Sequence, residues 1–84
     1  MRMGDSAMLH GNIVQARALY ERAATVYPAS SAAMLAVGKT YDPRVLASLG
    51  GGGSLADPAQ ARMWYERARM LGDPAAAELL ARLP

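Results

Sequence analysis

Side chains able to do chemistry are few in this 84-residue chain. His10 is its one imidazole, Cys is absent, and the serines at 6, 30, 31, 48 and 54 have no second or third group at a spacing that would activate a hydroxyl. The sequence therefore predicts no catalysis. One His and scattered carboxylates offer no ligand cluster for a metal ion, and neither a cofactor nor a small-molecule substrate is indicated. The run GGGGS, followed by DPAQ, has the glycines of a phosphate cradle at a helix start. It lacks the Lys-Ser/Thr ending and the preceding strand of such cradles, and reads as an inter-helix loop. Trp64 and Tyr65 are able to stack on a base or a peptide, but their helical phase with Ala61 and Ala68 predicts burial. An arginine set suits a phosphate backbone; here Glu21, Glu66 and Glu78 are interleaved with it, so a solvated face is expected and nucleic acid is not the expected partner.

Nine basic against seven acidic side chains leave a formal charge of only +2. A domain of this size buries only roughly 60 to 65% of its unfolded surface, and without Cys it has no disulfide framework to help. The opening MRMGDSAMLHGN lacks the apolar run of about seven to fifteen residues of a secretory signal, and no stretch reaches the roughly eighteen apolar residues that span a bilayer. A soluble, cytoplasmic domain without a membrane partner is expected, with the proviso that a signal can reside in a missing part if the chain is the C-terminal piece of a larger protein.

The elements that must position these side chains are helical. Ala, Leu, Met, Arg, Gln and Glu fill the periodic segments, while Val, Ile and Thr never alternate as a strand requires. Helix starts are written at Asn12 with Gln15, at Asp57-Pro58 with Gln60, at Asp42-Pro43 and at Asp73-Pro74, with Ser30 or Ser31 capping another. The expected helices span about 5–10, 13–26, 31–40, 43–48, 58–71 and 74–83, with the glycine loop at 50–54.

Sliding the sequence by forty-five places lays 11–38 over 56–83 without a gap, and ten of the 28 pairs are identical. Four of these are Ala on Ala; the informative ones are Gln15/Gln60, Arg17/Arg62, Tyr20/Tyr65, Glu21/Glu66, Arg22/Arg67 and Leu35/Leu80. A period of this length marks a stacked array whose units bury their apolar faces on one another. The expected stripes are Ala16, Leu19, Tyr20, Ala23 and Val26 or Tyr27 on the first copy, and Ala61, Trp64, Tyr65, Ala68 and Leu71 on the second. Leu35 and Leu80 belong to the core of the following helices. Met1, Met3, Met8, Met34, Met63 and Met70 are able to furnish an adaptable docking surface, but Met34 and Met70 are expected to fill core gaps instead. Arg17, Glu21, Arg62, Glu66 and Arg69 are placed on the solvated faces, with weak pairs Arg17/Glu21 and Arg62/Glu66.

The second copy, VGKTY (Val37 to Tyr41), the glycines near Gly52 and Gly53, and DPAQARMWYERARMLGDPAAAELL (Asp57 to Leu80), resembles the Sel-one-like repeat, a relative of the tetratricopeptide repeat. Gly38 and Tyr41 match its first helix; Asp57, Ala61, Trp64, Tyr65, Ala68, Gly72, Ala76 or Ala77, and Leu80 match the remainder. The first copy departs from the pattern, with Leu19 for the Trp and Tyr27 for the Gly. The resemblance implies an adaptor or scaffold that binds other proteins and has no chemistry of its own.

Together these features predict one all-α domain over 1–84: two to two-and-a-half antiparallel helical hairpins stacked as a short right-handed α-solenoid. The expected function is non-catalytic protein–protein interaction, the alternatives being homo-oligomerisation and a small basic nucleic-acid-binding helical domain. In AAAELLARLP only Glu78 and Arg82 interrupt an apolar surface. Leu79, Leu83 and Arg82 there, with Met63, are the expected partner-binding residues, for another protein or a second copy.

Overall fold

The computed structural model describes residues 12–50 and 55–84. They form five α-helices: α1 (Ile13–Val26), α2 (Ser31–Tyr41), α3 (Pro43–Ser48), α4 (Pro58–Met70) and α5 (Pro74–Arg82). Among the described residues there is no strand, so the class is all-α. The helix expected near 5–10, with His10, Met1, Met3 and Met8, and glycines 51–53 with Ser54 lie outside the described residues.

The helix starts are fixed by side chains with a free oxygen. Asn12 accepts from the Gln15 N–H at 3.1 Å and Asp57 from the Gln60 N–H at 3.2 Å, the same bond at matched places of the two copies. Ser30, Asp42 and Asp73 cap α2, α3 and α5, and proline stands in the first turn of α3, α4 and α5, where a missing N–H costs no bond. After Met70 the chain turns through Gly72 at φ 89°, a conformation in which a side chain is strained. Its N–H donates to the Arg69 carbonyl and the Asp73 N–H to that of Ala68, which closes the end of α4.

Packing explains why one helix is buried nearly all round. Helix α1 lies on α2, α2 on α4, and α4 on α5. With a neighbour on two sides, α2 buries Ala33, Met34, Leu35, Val37, Gly38 and Thr40. Its contact with α4 depends on Gly38: a Cβ there would stand 2.5 Å from Tyr65 Cε1, so only a hydrogen lets the ring lie against the α2 backbone. Opposite it, α4 turns in Ala61, Tyr65 and Ala68, small residues on either side of the ring. Helix α1 has α2 as its main neighbour and buries the narrow stripe Ile13, Ala16, Tyr20 and Ala24.

Several side chains depart from the expected stripes. Val26 and Tyr27 are exposed, Tyr27 by 65%, because the inner stripe of α1 runs through Ala24 and the helix ends before it returns to that face. Leu71 is likewise exposed, since α4 stops at Met70, and Met70 itself is 82% exposed and fills no core gap. Leu19 and Trp64 are half-buried; Trp64 packs against the core, as does the half-buried Ala23. Leu35 is buried, Leu80 half-buried.

Below Tyr65 the polar groups are tied together. Its hydroxyl donates to Asp42 Oδ2 at 2.7 Å, both groups being buried, while Asp42 Oδ1 accepts from the Arg44 N–H at 2.9 Å. One carboxylate thus starts α3 and anchors the ring that crosses α2. Burial first, then the hydrogen bond and the negative charge of Asp42, raise the Tyr65 phenol far above its ordinary range. Among the described residues every buried side-chain nitrogen and oxygen has a partner.

Candidate functional site

The matched letters of the two copies hide a difference at Arg17 and Arg62. Arg17 was expected on the solvated face; it is half-buried instead. Its guanidinium lies 3.6 Å from the centroid of the Tyr41 ring and donates to the Thr40 carbonyl at 2.6 Å, the Leu55 carbonyl at 2.9 Å and Thr40 Oγ1 at 3.2 Å. A cation at the carbonyl end of α2 is also favoured by that helix's dipole. Arg17 therefore clamps α1, the end of α2 and the approach to α4. Arg62, at the matched place, is exposed. The expected pairs Arg17/Glu21 and Arg62/Glu66 give way to this clamp and to Arg69–Glu66 at 2.7 Å, one turn along α4.

Two surfaces at opposite ends of α2 and α5 remain as candidate sites. At the end where α2 runs into α3, a cleft of ≈ 210 Å³ is lined by Asp42, Arg44, Val45, Ser48, Leu79 and Arg82. It brings together two of the expected partner-binding residues, Leu79 and Arg82, with α3. Of its charges, Arg82 pairs with Glu78 at 2.6 Å and both oxygens of Asp42 accept bonds from within, while the exposed Arg44 has no carboxylate partner among the described residues. Ser48 donates back to the Val45 carbonyl. Leu79, Leu80 and Leu83 are half-buried and pack on the core, so the outward side of α5 presents Ala77, Glu78, Ala81 and Arg82 rather than a leucine face. Met63 stands apart on α4, 38% exposed.

At the other end, where α1 passes to α2 and α4 to α5, lies a groove of ≈ 320 Å³ lined by Pro28, Met34, Arg67, Met70 and Leu71. Sequence reasoning placed none of these residues at a surface site. Met34 forms its buried floor, while Met70 and Leu71 stand exposed at the helix end. Val26 and Tyr27, next in the chain to Pro28, are exposed too. The only charge in the lining is Arg67, whose guanidinium lies 4.8 Å from the centroid of the Trp64 ring and has no carboxylate partner among the described residues.

Comparison of the chain with family models, with curated proteins and with solved structures gives no match. What either surface can do must come from its own chemistry.

Among the described residues the one strongly shifted group is Tyr65, which is buried with Asp42, and their bond fastens α4 to the start of α3. No group of three or more His, Cys, Asp and Glu that could hold a metal ion occurs among the described residues. No described helix is long and apolar enough to cross a membrane. The apolar groove is suited to binding: methionine adapts to differently shaped side chains, and exposed apolar area is released from water when covered.

Proposed function

We propose that this chain is a non-catalytic protein-binding module, a scaffold or adaptor built as a short α-solenoid of the tetratricopeptide and Sel-one-like kind, whose docking surface is the groove beside the C-terminal ends of α1 and α4. The observation that carries the proposal is the exposure of large apolar side chains at one place, Met70 and Leu71 over the buried Met34, in a chain short of surface it can bury by itself. The duplicated helix pairs, with Tyr20 and Tyr65 buried at matched places, support the repeat part of it. The leucines of α5, half-buried on the core, are support rather than anchor; Arg82 and Met63 are left as peripheral contacts.

Affinity capture from the native host with the wild-type chain and with Leu71→Glu tests the proposal. A protein retained by the first and lost with the second, at unchanged helicity and melting temperature, is the expected result. Identical captured sets from the two chains would dismiss the groove as the docking surface. Light scattering at micromolar concentration separates self-association, for which mass would rise with concentration in the absence of any other protein.

A further inference from the structure

The groove's chemistry also specifies what it accepts. Its walls are Pro28, Met34, Met70 and Leu71, and its lone charge is Arg67. Stacking on the Trp64 ring occupies the face of that guanidinium and leaves its in-plane N–H edge available, the edge that matches a carboxylate. The neighbouring Arg69 is already balanced by Glu66. Resting on the protein-binding proposal above, we infer that the groove takes from another protein a segment in which a large apolar side chain is flanked by a carboxylate, the apolar group seated on Met34 between Met70 and Leu71 and the carboxylate paired with Arg67.

A second copy of this chain is a poor occupant. In a twofold contact the groove would meet itself, and each side would bring a guanidinium and no carboxylate. Nor does the remaining surface readily supply one. Of the six described acidic residues, Asp42, Asp57 and Asp73 cap helices and Glu66 and Glu78 pair with Arg69 and Arg82, which leaves Glu21. The charge left over at the groove calls for an acidic partner.

The test uses the full chain with its methionine methyl groups isotopically labelled, titrated to millimolar with two short synthetic peptides sharing a Leu-Leu-Phe centre, one flanked by Asp and the other by Lys. The expected result is saturable shifts at the Met34 and Met70 methyls with the Asp-flanked peptide, about tenfold weaker binding of the Lys-flanked one, and a preference that shrinks at high salt. Arg67→Glu should reverse the preference and Arg67→Gln abolish it, with circular dichroism showing both folded. Equal binding of the two peptides, unaltered in Arg67→Gln, would overturn the inference while leaving the groove a protein-binding surface. Absence of shifts at both methyls with either peptide, or shifts that follow protein concentration alone, would overturn it as well; the capture experiment with Leu71→Glu then decides separately whether the protein-binding proposal survives.

Discussion

The two copies of the repeat carry the same letters at Gln15/Gln60, Arg17/Arg62, Tyr20/Tyr65 and Glu21/Glu66, yet only some of these letters do the same thing. Ala16 and Ala61 are both fully buried, and Tyr20 and Tyr65 nearly or wholly so. These positions face inward whatever the neighbours are. Arg17 and Arg62 diverge because what lies above them differs: the first copy is followed by α2, whose carbonyl end and Tyr41 ring come within reach of Arg17, whereas Arg62 meets solvent. The matched pair Gly38 and Leu83 shows the same rule. In the first copy that place is squeezed by the Tyr65 ring; in the second it lies just beyond α5, and a leucine fits. Repeated sequence thus specifies the inner stripe, and the following element decides the function of the flanks.

Substitutions at matched places sharpen this contrast. The largest effect is expected at Gly38→Ala, where the added carbon meets a buried ring tethered by Asp42. Overpacking should outweigh the helix propensity gained and cost about 3 kcal/mol in urea unfolding, against about 1 kcal/mol for Leu83→Ala. Equal costs at the two places would break the comparison. Next, Tyr65→Phe leaves Asp42 Oδ2 buried without its donor and should cost about 2 kcal/mol at neutral pH.

The same hydroxyl sets a pH dependence. Because the folded chain holds the Tyr65 proton more tightly than the unfolded one, whose ordinary value is 10.0, this contribution is complete below pH 10 and is lost as pH rises above it. Stability followed into alkaline solution should therefore fall more steeply for the wild type than for Tyr65→Phe. Parallel curves would show that the hydroxyl is not the group responsible.

A smaller effect is expected at the arginines. Arg17→Ala should cost about 1.5 kcal/mol, since it leaves two carbonyls and a ring uncovered, while Arg62→Ala should stay within about 0.5 kcal/mol of wild type. Smallest of all, Met70→Ala should leave the melting temperature within error, because the side chain is 82% exposed, while weakening capture of any partner seated in the groove.

How much of this was legible in the residues follows from the range of each signal. Helix starts were, because Asn12, Ser30, Asp42, Asp57 and Asp73 act on N–H groups two or three residues away. The inner places of α1 and α4 were legible in part: Ala16, Tyr20, Ala61, Tyr65 and Ala68 follow helical spacing, but the stripe of α1 continues to Ala24 rather than to Val26 or Tyr27. What sequence spacing does not carry is which helix lies centrally. The burial of α2 on two sides, the bond from Tyr65 to Asp42 and the reach of Arg17 to Thr40 join residues 23 apart, and depend on how helices stack. The groove stayed hidden for the same reason. Leu71 reads as the end of the stripe and Met70 as a core-gap filler, and only the end of α4 turns them outward.

The excursion between α2 and α4 ends where it began: the Asp57 N–H donates to the Tyr41 carbonyl at 2.9 Å, so the chain departs from and returns to one spot. A closed detour of this kind is indifferent to its own circumference, since doubling a loop adds only about 0.6 kcal/mol of closure entropy. At Leu49 and Gly50, both exposed and past Leu46, the side chain that α3 commits to the interior, the polypeptide offers a splice point. A reporter or a second binding unit grafted there would ride on the molecule without loosening the helices that carry it.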